Sequence, residues 1–398
     1  MIPTVVLKKG KLRPVYSGHP WIFSGALQNT AQLAVAPGTL VLVRDDQQQP
    51  VGWGHIGSGV IAVRMFSLGE SEPDERSVIR NRIQEAFARR EFLGLTNSPD
   101  ITGYRLVCAE GDRLPGLMID RLGDGFVVQA GTAAWARLAD VVIDTLIEQF
   151  SPTWIVWQVS PDAANIESLK EHGSRVVYGT PEDVDSTTVV ECGIRHLIDP
   201  LGGQKTGFYA DQRENRLRLR QLSRKKRILD VFSYAGGFGL SAAAGGASHV
   251  TCVETSPRAH RMAQRMAELN DAAIELHNTD ATTYLRENAR GGNFDIIVLD
   301  PPKLVKSRTH IEEGLKKYRN LNMLAMAALR PGAMLFTHSC SSLVSEDEFQ
   351  RVLTDAATAA GKQLHVLETR GQAPDHPFLA ACPEGRYLKC VVAVVSDR

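Results

Sequence analysis

The first 70 residues carry short apolar runs separated by glycine and proline. The runs cover Thr4 to Leu7, Leu40 to Val43 and Val60 to Phe66, and short apolar runs bounded by turn residues favour strands. Several short strands with frequent turns are typical of a small β-barrel-like module. The polar stretch Glu70 to Pro73 resembles a linker, and apolar positions with helical spacing then predict a helix over Asp74 to Leu93.

The middle of the chain mixes the periodicities of strands and helices. Trp135 to Phe150 has the apolar spacing of a helix. Four apolar stretches predict strands, namely Arg105 to Ala109, Leu117 to Asp120, Phe126 to Ala130 and Trp154 to Val159. The pattern predicts an α+β domain, and we find no cluster of catalytic residue types in it.

From about residue 227 onward, apolar strand candidates alternate with helical segments. The candidates are Arg227 to Phe232, Val250 to Glu254, Ile274 to His277, Phe294 to Leu299 and Ala333 to His338. This alternation predicts an α/β fold with a parallel, doubly wound, Rossmann-like sheet. Because a chain of 398 residues exceeds what one hydrophobic core usually organises, we expect three domains, over residues 1–70, 74–190 and 191–398.

The amino-acid composition indicates the class of protein and the compartment in which it is expected. With 43% hydrophobic and 23% charged residues it is that of a globular protein, and no stretch has the ~20 apolar residues of a membrane span. Six cysteines are scattered without a Cys-x-x-Cys pair, which argues against a zinc ribbon and against a disulfide framework. We therefore expect a cytoplasmic protein without membrane attachment and without a metal.

The net charge is zero, yet positive charge is concentrated locally. The first 44 residues contain five basic residues and no acid, and residues 203–227 contain nine basic residues, Lys205 among them, against two acids. Either cluster alone would fit a solvated face, but two clusters in separate modules favour a polyanion as partner. The predicted RNA-binding residues are Lys8, Lys9, Lys11, Arg216, Arg220 and Lys303.

A glycine-rich turn follows the first strand of the α/β region, in the stretch Asp230 to Gly239. Glycines allow a tight turn and a close approach of a ligand, in dinucleotide sites and methyl-donor sites alike. The acid Asp230 favours S-adenosylmethionine, because the methionine end of this donor is cationic whereas a pyrophosphate would be repelled. Glu254 ends the next strand, where an acid holds ribose hydroxyls, and Asp280 follows the third, where it could accept from the adenine amino group. The predicted cofactor-binding residues are Asp230, Phe232, Tyr234, Gly236, Gly237, Glu254, Asp280, Asp300 and Arg213.

Two further turns follow the last two strand candidates. Asp300-Pro301-Pro302-Lys303 is a rigid turn, because proline fixes its φ angle, and its aspartate could hydrogen-bond the edge of a flat heterocycle. Ser339-Cys340-Ser341-Ser342 places a thiol among hydroxyls at the same predicted sheet edge. A thiolate that adds to carbon 6 of a pyrimidine activates carbon 5 for methylation. We therefore predict Cys340 and Asp300 as catalytic residues, whereas the base that removes the carbon 5 proton is not identified.

At these residues the chain resembles the bacterial 23S rRNA cytosine-5 methyltransferase family called large-subunit methyltransferase I. The matching stretches, in chain order, are His19 to Gly25, Tyr104 to Leu106, Glu110 to Arg121, Lys205 to Arg213, Phe232 to Phe238, Asp300 to Lys303, Ser339 to Ser341, Asp375 to Pro377 and Pro383 to Lys389. The resemblance implies an N-terminal PUA RNA-binding domain, a central α+β domain, a class I methyltransferase domain that uses S-adenosylmethionine, 23S rRNA as substrate, and homodimers. It also implies Cys340 as the nucleophile, and Asp300 stands where other RNA cytosine-5 enzymes have a second cysteine.

Two alternatives stay open at this point. The Asp-Pro-Pro turn also resembles that of amino-group methyltransferases, so an RNA methyltransferase acting on guanine or an amino group, with Cys340 merely structural, is the first. The second is an RNA-binding assembly factor that holds S-adenosylmethionine without turnover. Cys340 separates the first alternative from the leading hypothesis, because methylation of an amino group or of N7 needs no thiol.

Overall fold

The computed structural model describes residues 3–28, 35–169, 171–185, 187–203, 206–288, 291, 293–305 and 307–398. Lys205, one of the basic residues singled out above, lies outside the described residues. The chain forms two compact units. Unit 1 contains Met1–Val190, Ile198–Ala210 and Pro374–Gly385, and unit 2 contains Glu191–Leu197, Asp211–Ala373 and Arg386–Arg398.

Unit 1 begins with a five-stranded sheet in the order β1-β3-β4-β5-β2. Its strands are β1 (Thr4–Val6), β2 (Trp21–Phe23), β3 (Leu40–Arg44), β4 (Pro50–Ile56) and β5 (Ile61–Leu68), with the short helix α1 (Arg13–Tyr16) between the first two. Val5, Val41, Val43 and Val63 form its core, and a bridge pairs Leu7 with Leu27. The three apolar runs of the N-terminal segment are thus strands, as predicted.

A second five-stranded sheet of unit 1 has the order β10-β9-β8-β7-β6. Its strands are β6 (Gly103–Cys108), β7 (Leu117–Leu122), β8 (Gly125–Ala130), β9 (Trp154–Val159) and β10 (Gly173–Tyr178). The helices of this region are α2 (Glu75–Phe92), α3 (Ala133–Arg137), α4 (Ala139–Phe150), α5 (Pro161–Glu167) and α6 (Pro181–Asp185). Asp74 caps α2 by accepting from the Arg76 amide, and the helix predicted over residues 135–150 is divided at Leu138.

Several stretches of the family resemblance support the fold of unit 1. Arg90 pairs with Asp112 through two bonds of 2.7 Å each, and it also donates to the Asp375 carbonyl at 2.7 Å. The carboxylate of Asp375 accepts from the Arg105 amide at 2.9 Å. A Cβ atom on Gly111 would lie 2.0 Å from the Pro377 carbonyl oxygen, so only glycine fits there. The Asp375-His-Pro377 stretch therefore belongs to this unit and ties its strands together.

Unit 2 is built on a seven-stranded sheet in the order β15-β14-β13-β16-β17-β19-β18. The strands are β13 (Arg227–Val231), β14 (His249–Val253), β15 (Glu275–His277), β16 (Phe294–Leu299), β17 (Leu329–Ser339), β18 (Lys362–Arg370) and β19 (Lys389–Asp397), preceded in the chain by β11 (Thr188–Glu191) and β12 (Ile194–Leu197). The pairs from β15 to β17 are parallel, whereas β19 is antiparallel to both β17 and β18. The predicted parallel sheet is confirmed, with two antiparallel strands that were not predicted.

Helices cover both faces of this sheet. They are α7 (Arg213–Leu222), α8 (Gly237–Ala244), α9 (Pro257–Leu269), α10 (Ala281–Asn288), α11 (Ile311–Ala328) and α12 (Glu346–Ala359). Leu285, Tyr318 and Phe349 of α10, α11 and α12 join one core, whereas Leu219 and Phe238 of α7 and α8 join the core of the other face. This is the predicted doubly wound arrangement, and it brings the carboxyl ends of β13, β14, β16 and β17 to one edge.

No helix among the described residues is long and apolar enough to cross a membrane.

Candidate active site

The chain turns sharply between β13 and α8. Phe232, Tyr234 and Gly236 have φ angles of 63°, 49° and 79°, all in the left-handed region. Glycine adopts this region freely, but the two aromatic residues are strained there, and such strain concentrates at functional sites. Glu254, which follows β14, accepts a hydrogen bond from the Tyr234 amide at 2.9 Å and so holds the turn. The backbone of Gly236 and Gly237 then opens α8 beside this turn.

Asp230 lies fully buried beneath the turn. One carboxylate oxygen, Oδ2, accepts from the Gly239 amide at 3.0 Å, whereas Oδ1 has no hydrogen-bond partner among the described residues. Burial raises the pKa of Asp230 to about 7. The hydrogen bond from Gly239 lowers this pKa, whereas the negative charges of Asp300 and Glu254 raise it further. A buried acid with an open oxygen attracts a cation, and this fits the methionine end of S-adenosylmethionine.

The other two predicted acids lie at the ends of neighbouring strands. The second oxygen of Glu254, Oε1, accepts from the Ser256 amide at 2.7 Å and from the Thr255 hydroxyl at 3.4 Å. The oxygen that accepts from the Tyr234 amide, Oε2, keeps a further lone pair for a ribose hydroxyl. Asp280 is exposed and accepts from the amide and hydroxyl of Thr283 at 2.9 and 3.2 Å, at the start of α10. Its contact with an adenine stays a prediction.

The turns that carry Asp300 and Cys340 lie against each other. Cys340 Sγ is 4.0 Å from the Pro301 carbonyl oxygen, and the Ser341 hydroxyl accepts from the Val305 amide at 3.2 Å. The cause is the parallel pairing of β16 with β17, in which Leu299 lies opposite Thr337, so both strands end at the same edge. Cys340 is partly exposed. The structure thus brings together the two turns that the sequence analysis singled out.

Side chains around Asp300 fix its orientation. Gln212 donates to Asp300 Oδ2 at 3.0 Å and accepts from Asn215 at 2.7 Å. His338 is fully buried behind this edge, with its ring 5.2 Å from that of Phe238. Burial lowers the pKa of His338, so the ring is neutral at physiological pH. Gln212 was not predicted as a site residue, although it lies within the Lys205 to Arg213 stretch of the resemblance.

The remaining cysteines have a different character. Burial raises the pKa of Cys108 and Cys382 to about 12, and it raises the pKa of Cys192, Cys252 and Cys390 as well. A thiol with a raised pKa is a poor nucleophile at neutral pH. These five cysteines are therefore suited to packing.

The basic residues predicted to bind ligands divide into exposed and buried groups. Lys8, Lys9, Lys11 and Lys303 are exposed, and Arg220 is half-buried with a bond of 2.6 Å to the Cys192 carbonyl. Arg213, predicted to contact the cofactor, is buried and lies 3.3 Å from Glu214.

Arg216 does not fit its predicted contact with RNA. Its guanidinium is buried and forms two bonds of 2.6 Å with the carboxylate of Glu191. A buried, fully paired guanidinium stabilises the fold and offers no charge to a phosphate. The helical spacing of the arginines in α7 gave no signal to separate this buried residue from the half-buried Arg218 and Arg220.

One group of possible metal ligands occurs in the part of the chain that the structure describes, and it lies in unit 1. His19, Cys382 and Glu384 have their donor atoms within 4.8 Å of one another. The Nδ1 atom of His19 accepts from the Trp21 amide at 3.1 Å, so in the neutral ring Nε2 carries the proton and faces Glu384 at 3.5 Å. Both ring nitrogens of His19 thus have polar partners without a metal ion.

Comparison with known proteins gives two family matches. Residues 5–68 match the family described as PUA-like domain, in agreement with the predicted N-terminal module. Residues 148–388, more than half of the chain, match the family described as S-adenosylmethionine-dependent methyltransferase. The residues around the glycine-rich turn fit this cofactor, and the chain is a methyltransferase that uses S-adenosylmethionine.

Solved structures share the fold over nearly the full length. The structure of a protein described as a SAM-dependent methyltransferase from Streptococcus mutans aligns with a TM-score of 0.84 and 19% identity, covering 99% of this chain and 100% of that one. A methyltransferase complexed with SAH aligns with a TM-score of 0.85, also at 19% identity, with the same coverage. At this identity the likeness concerns the fold alone.

Curated relatives are considerably more similar in sequence. The proteins named Ribosomal RNA large subunit methyltransferase I from Klebsiella pneumoniae (strain 342) and Aeromonas salmonicida (strain A449) are 34% and 36% identical to this chain. Each alignment covers 98% of this chain, with 97% and 98% of the relative. On this similarity, over almost its whole length, the chain belongs to the ribosomal RNA large subunit methyltransferase I family.

Proposed function

We propose that this protein methylates carbon 5 of a cytosine in 23S ribosomal RNA through a covalent bond between Cys340 and carbon 6 of the base. The observation that carries the proposal is the proximity of Cys340 to the Asp300-Pro301 turn, 4.0 Å from Sγ to the Pro301 carbonyl oxygen, at the sheet edge that also carries Asp230 and Glu254. The name of the curated relatives supports ribosomal RNA as the substrate.

The chemistry assigns one task to each residue. The Cys340 thiolate attacks carbon 6, and the electron pair of the carbon 5–carbon 6 double bond moves to make carbon 5 nucleophilic. When bound, S-adenosylmethionine supplies the methyl group as an electrophile. A base then removes the proton from carbon 5, the double bond re-forms, and the carbon 6–sulfur bond breaks to return the thiolate.

Asp300 is the residue to which we assign recognition of the base. Its carboxyl group is held by Gln212 and is fixed by the two prolines that follow, so it can hydrogen-bond the edge of cytosine that carries N3 and the exocyclic amino group. For carbon 6 to reach the thiol, the base must leave the stack or be single-stranded. Lys8, Lys9 and Lys11 of unit 1 are the proposed contacts to the RNA backbone, and we further propose a cytoplasmic homodimer.

The first test is replacement of the nucleophile. Cys340→Ala should lower methyl transfer at least about a thousandfold, because the covalent route is lost, while affinity for S-adenosylmethionine stays unchanged. Cys192→Ala is the matched control, since that cysteine is also partly exposed but lies in the turn between β11 and β12 rather than in the site. Methyl incorporation into ribosomal RNA and isothermal titration with the donor measure the two effects. Full activity of the Cys340→Ala variant would overturn the mechanism.

The second test identifies the methylated atom. RNA containing 5-fluorocytosine should trap a covalent adduct with the wild-type protein, because fluorine cannot leave as a proton does. Mass spectrometry of nucleosides from methylated RNA should find 5-methylcytosine. Methylguanosine or a methylated amino group would instead establish the first alternative, and RNA binding without release of S-adenosylhomocysteine would establish the assembly factor.

A further inference from the structure

Lys389 is a buried lysine next to the turn that carries Cys340. It opens β19 directly opposite Ser339, the last residue of β17, and only 3% of its surface is exposed. Its ammonium group donates to the Ser341 carbonyl at 2.7 Å and to the Tyr387 carbonyl at 2.9 Å. One of its two hydrogen bonds therefore fixes the residue that follows the thiol.

The charge of Lys389 lacks a carboxylate partner. Among the residues that the structure describes, no carboxylate oxygen lies within 4.0 Å of its Nζ atom, and its two acceptors are both backbone carbonyls. Two acids of α12 are turned to other groups, since Glu346 pairs with Arg386 and Glu348 accepts from the Ser345 amide at 2.8 Å. A buried ammonium bound only to carbonyls is costly, because buried charges are normally paired.

Lys389 holds the carbonyl of the residue that directly follows Cys340, so a negative charge on the Cys340 sulfur would lie near its ammonium group. Burial lowers the pKa of Lys389 to about 8, and the strongest opposing effect is the negative charge of the Cys340 thiolate, followed by Glu346 and Glu348. Tyr318 of α11 also faces the turn, with its hydroxyl 3.0 Å from that of Ser341, and burial raises the pKa of this phenol. Tyr318 is therefore neutral at physiological pH and supplies no charge.

We propose that Lys389 is a positioning residue for Cys340, which fixes the Ser339 to Ser342 turn through the Ser341 carbonyl and supplies the positive charge that favours the thiolate over the thiol. The inference rests on the proposed function, in which Cys340 is the nucleophile. The thiol proton passes to water when the thiolate forms, and Lys389 stays protonated. The same charge then stabilises the thiolate again when the carbon 6–sulfur bond breaks.

This arrangement gives a reason for a buried lysine at the end of the stretch Pro383 to Lys389, for which the sequence pattern predicts no role. A thiolate and an ammonium stabilise each other reciprocally, so the buried charge is compensated by the reactive form of the cysteine. An uncharged donor at position 389 could hold the turn but could not favour the thiolate. The two contributions of Lys389 are therefore separable by substitution.

The test measures the reactivity of the Cys340 thiol in the full-length protein without RNA. Iodoacetamide alkylation is followed across pH, and mass spectrometry of the Cys340 peptide separates this thiol from the other five. Lys389→Met removes both the charge and the donors, Lys389→Gln keeps a donor without charge, and Lys389→Arg keeps the charge. Lys362→Met is the control, because Lys362 lies in the same sheet and its bond of 2.7 Å is to Asp397.

The expected result is a loss of thiolate in the uncharged variants. Alkylation of Cys340 near pH 7 should fall about tenfold or more in Lys389→Met and Lys389→Gln and stay within about threefold of wild type in Lys389→Arg and Lys362→Met. Unchanged alkylation profiles in folded Lys389→Met and Lys389→Gln would overturn the inference. Should neither variant fold, wild-type Cys340 must still react about tenfold faster near pH 7 than the partly exposed Cys192, and equal rates would overturn the inference as well.

Failure of the inference can be told apart from failure of the proposed function. An inactive Cys340→Ala variant together with unchanged alkylation in the lysine variants rejects only the role of Lys389. A fully active Cys340→Ala variant rejects the covalent mechanism, whatever the alkylation profiles show. In the first case, the nucleophile stands and its activation requires another group.

Discussion

Asp230 illustrates how a single residue can oppose folding and favour binding. Its carboxyl group is fully buried, with one oxygen held by the Gly239 amide and the other without a partner among the described residues. Burial raises its pKa to about 7, far above the ordinary value of 3.8. Burying the charged form costs free energy, and a cationic ligand would recover this cost.

The stability effect has a definite sign. The folded state holds the Asp230 proton more tightly than the unfolded state between about pH 4 and pH 7, so its contribution to stability falls as the pH rises through this window. Asparagine does not ionise, and Asp230→Asn should therefore raise the free energy of unfolding near pH 8, on the order of 1–3 kcal/mol, with little effect near pH 4. Urea denaturation at the two pH values measures this, and an equal effect at both would contradict it.

The same substitution should weaken cofactor binding. Wild type should prefer S-adenosylmethionine over S-adenosylhomocysteine more strongly as the pH rises from about 6 to 8, because Asp230 becomes charged in that range and only the first ligand carries a sulfonium. The ratio of the two affinities cancels the titration of the amino group that both ligands share. Calorimetry on Asp230→Asn should show a ratio that no longer depends on pH.

At the residue scale, the sequence predicted where the site residues lie in the fold better than it predicted their burial and their hydrogen-bond partners. Cys340 and Asp300 were found because each follows an apolar strand, and strand ends can be read from periodicity. Arg216 was misjudged as an RNA contact because its partner, Glu191, is 25 residues away and no local pattern announces the ion pair. Lys389 was passed over for a related reason, since its neighbour Ser341 is brought close only by the pairing of β17 with β19.

At the element scale, the packing of α8 on β14 depends on one glycine. A Cβ atom on Gly239 would lie 2.3 Å from the sulfur of Cys252 in β14, whereas a Cβ atom on Gly237 would meet only the Arg216 side chain at 3.4 Å. Overpacking of this kind costs about 1–3 kcal/mol. Gly239→Ala should therefore destabilise the protein by that amount, and Gly237→Ala, the control, should do so much less.

A double substitution tests whether Cys252 is the cause. In the Gly239→Ala/Cys252→Ala variant the new methyl group finds the space left by the sulfur, so the double variant should be more stable than the sum of the single effects implies. Urea denaturation of the four proteins gives the coupling free energy. A coupling near zero would show that other neighbours set the requirement for glycine.

The strands of unit 2 could be predicted from the sequence where each forms an uninterrupted apolar run. The parallel strands β13, β14, β16 and the second half of β17 are apolar runs followed by turns, which is what burial on both faces produces. No prediction covered β18 or β19. The strand β18 mixes polar and apolar residues and lies at the sheet edge, where all its residues are exposed or half-buried, so it lacks the apolar run that marks a central strand. Its antiparallel partner β19 is apolar, but only tertiary pairing sets its direction.

At the scale of the whole molecule, positive charge is exposed in each unit although the net charge is zero. In unit 1 it includes Lys8, Lys9 and Lys11, and in unit 2 it includes the exposed residues Arg224 to Arg227. Buried guanidiniums such as those of Arg90, Arg105 and Arg216 are paired with carboxylates and contribute nothing to this field. The sequence could locate the basic clusters but could not tell which charges reach solvent.

The exposed charge of unit 1 leads to a prediction about RNA affinity. Log affinity falls as log salt concentration rises, and each phosphate contact with a single strand contributes about 0.7 to the steepness of this slope. Replacing Lys8, Lys9 and Lys11 together by Gln removes three such contacts, so the slope should become less steep by about 2. The matched control replaces three exposed basic residues of α11, Lys316, Lys317 and Arg319, by Gln and makes the same change in net charge. Fluorescence anisotropy with a ribosomal RNA fragment, over a series of salt concentrations, gives both slopes. Equal slopes in the two variants would mean that the effect follows total charge, and the three lysines would then not be phosphate contacts.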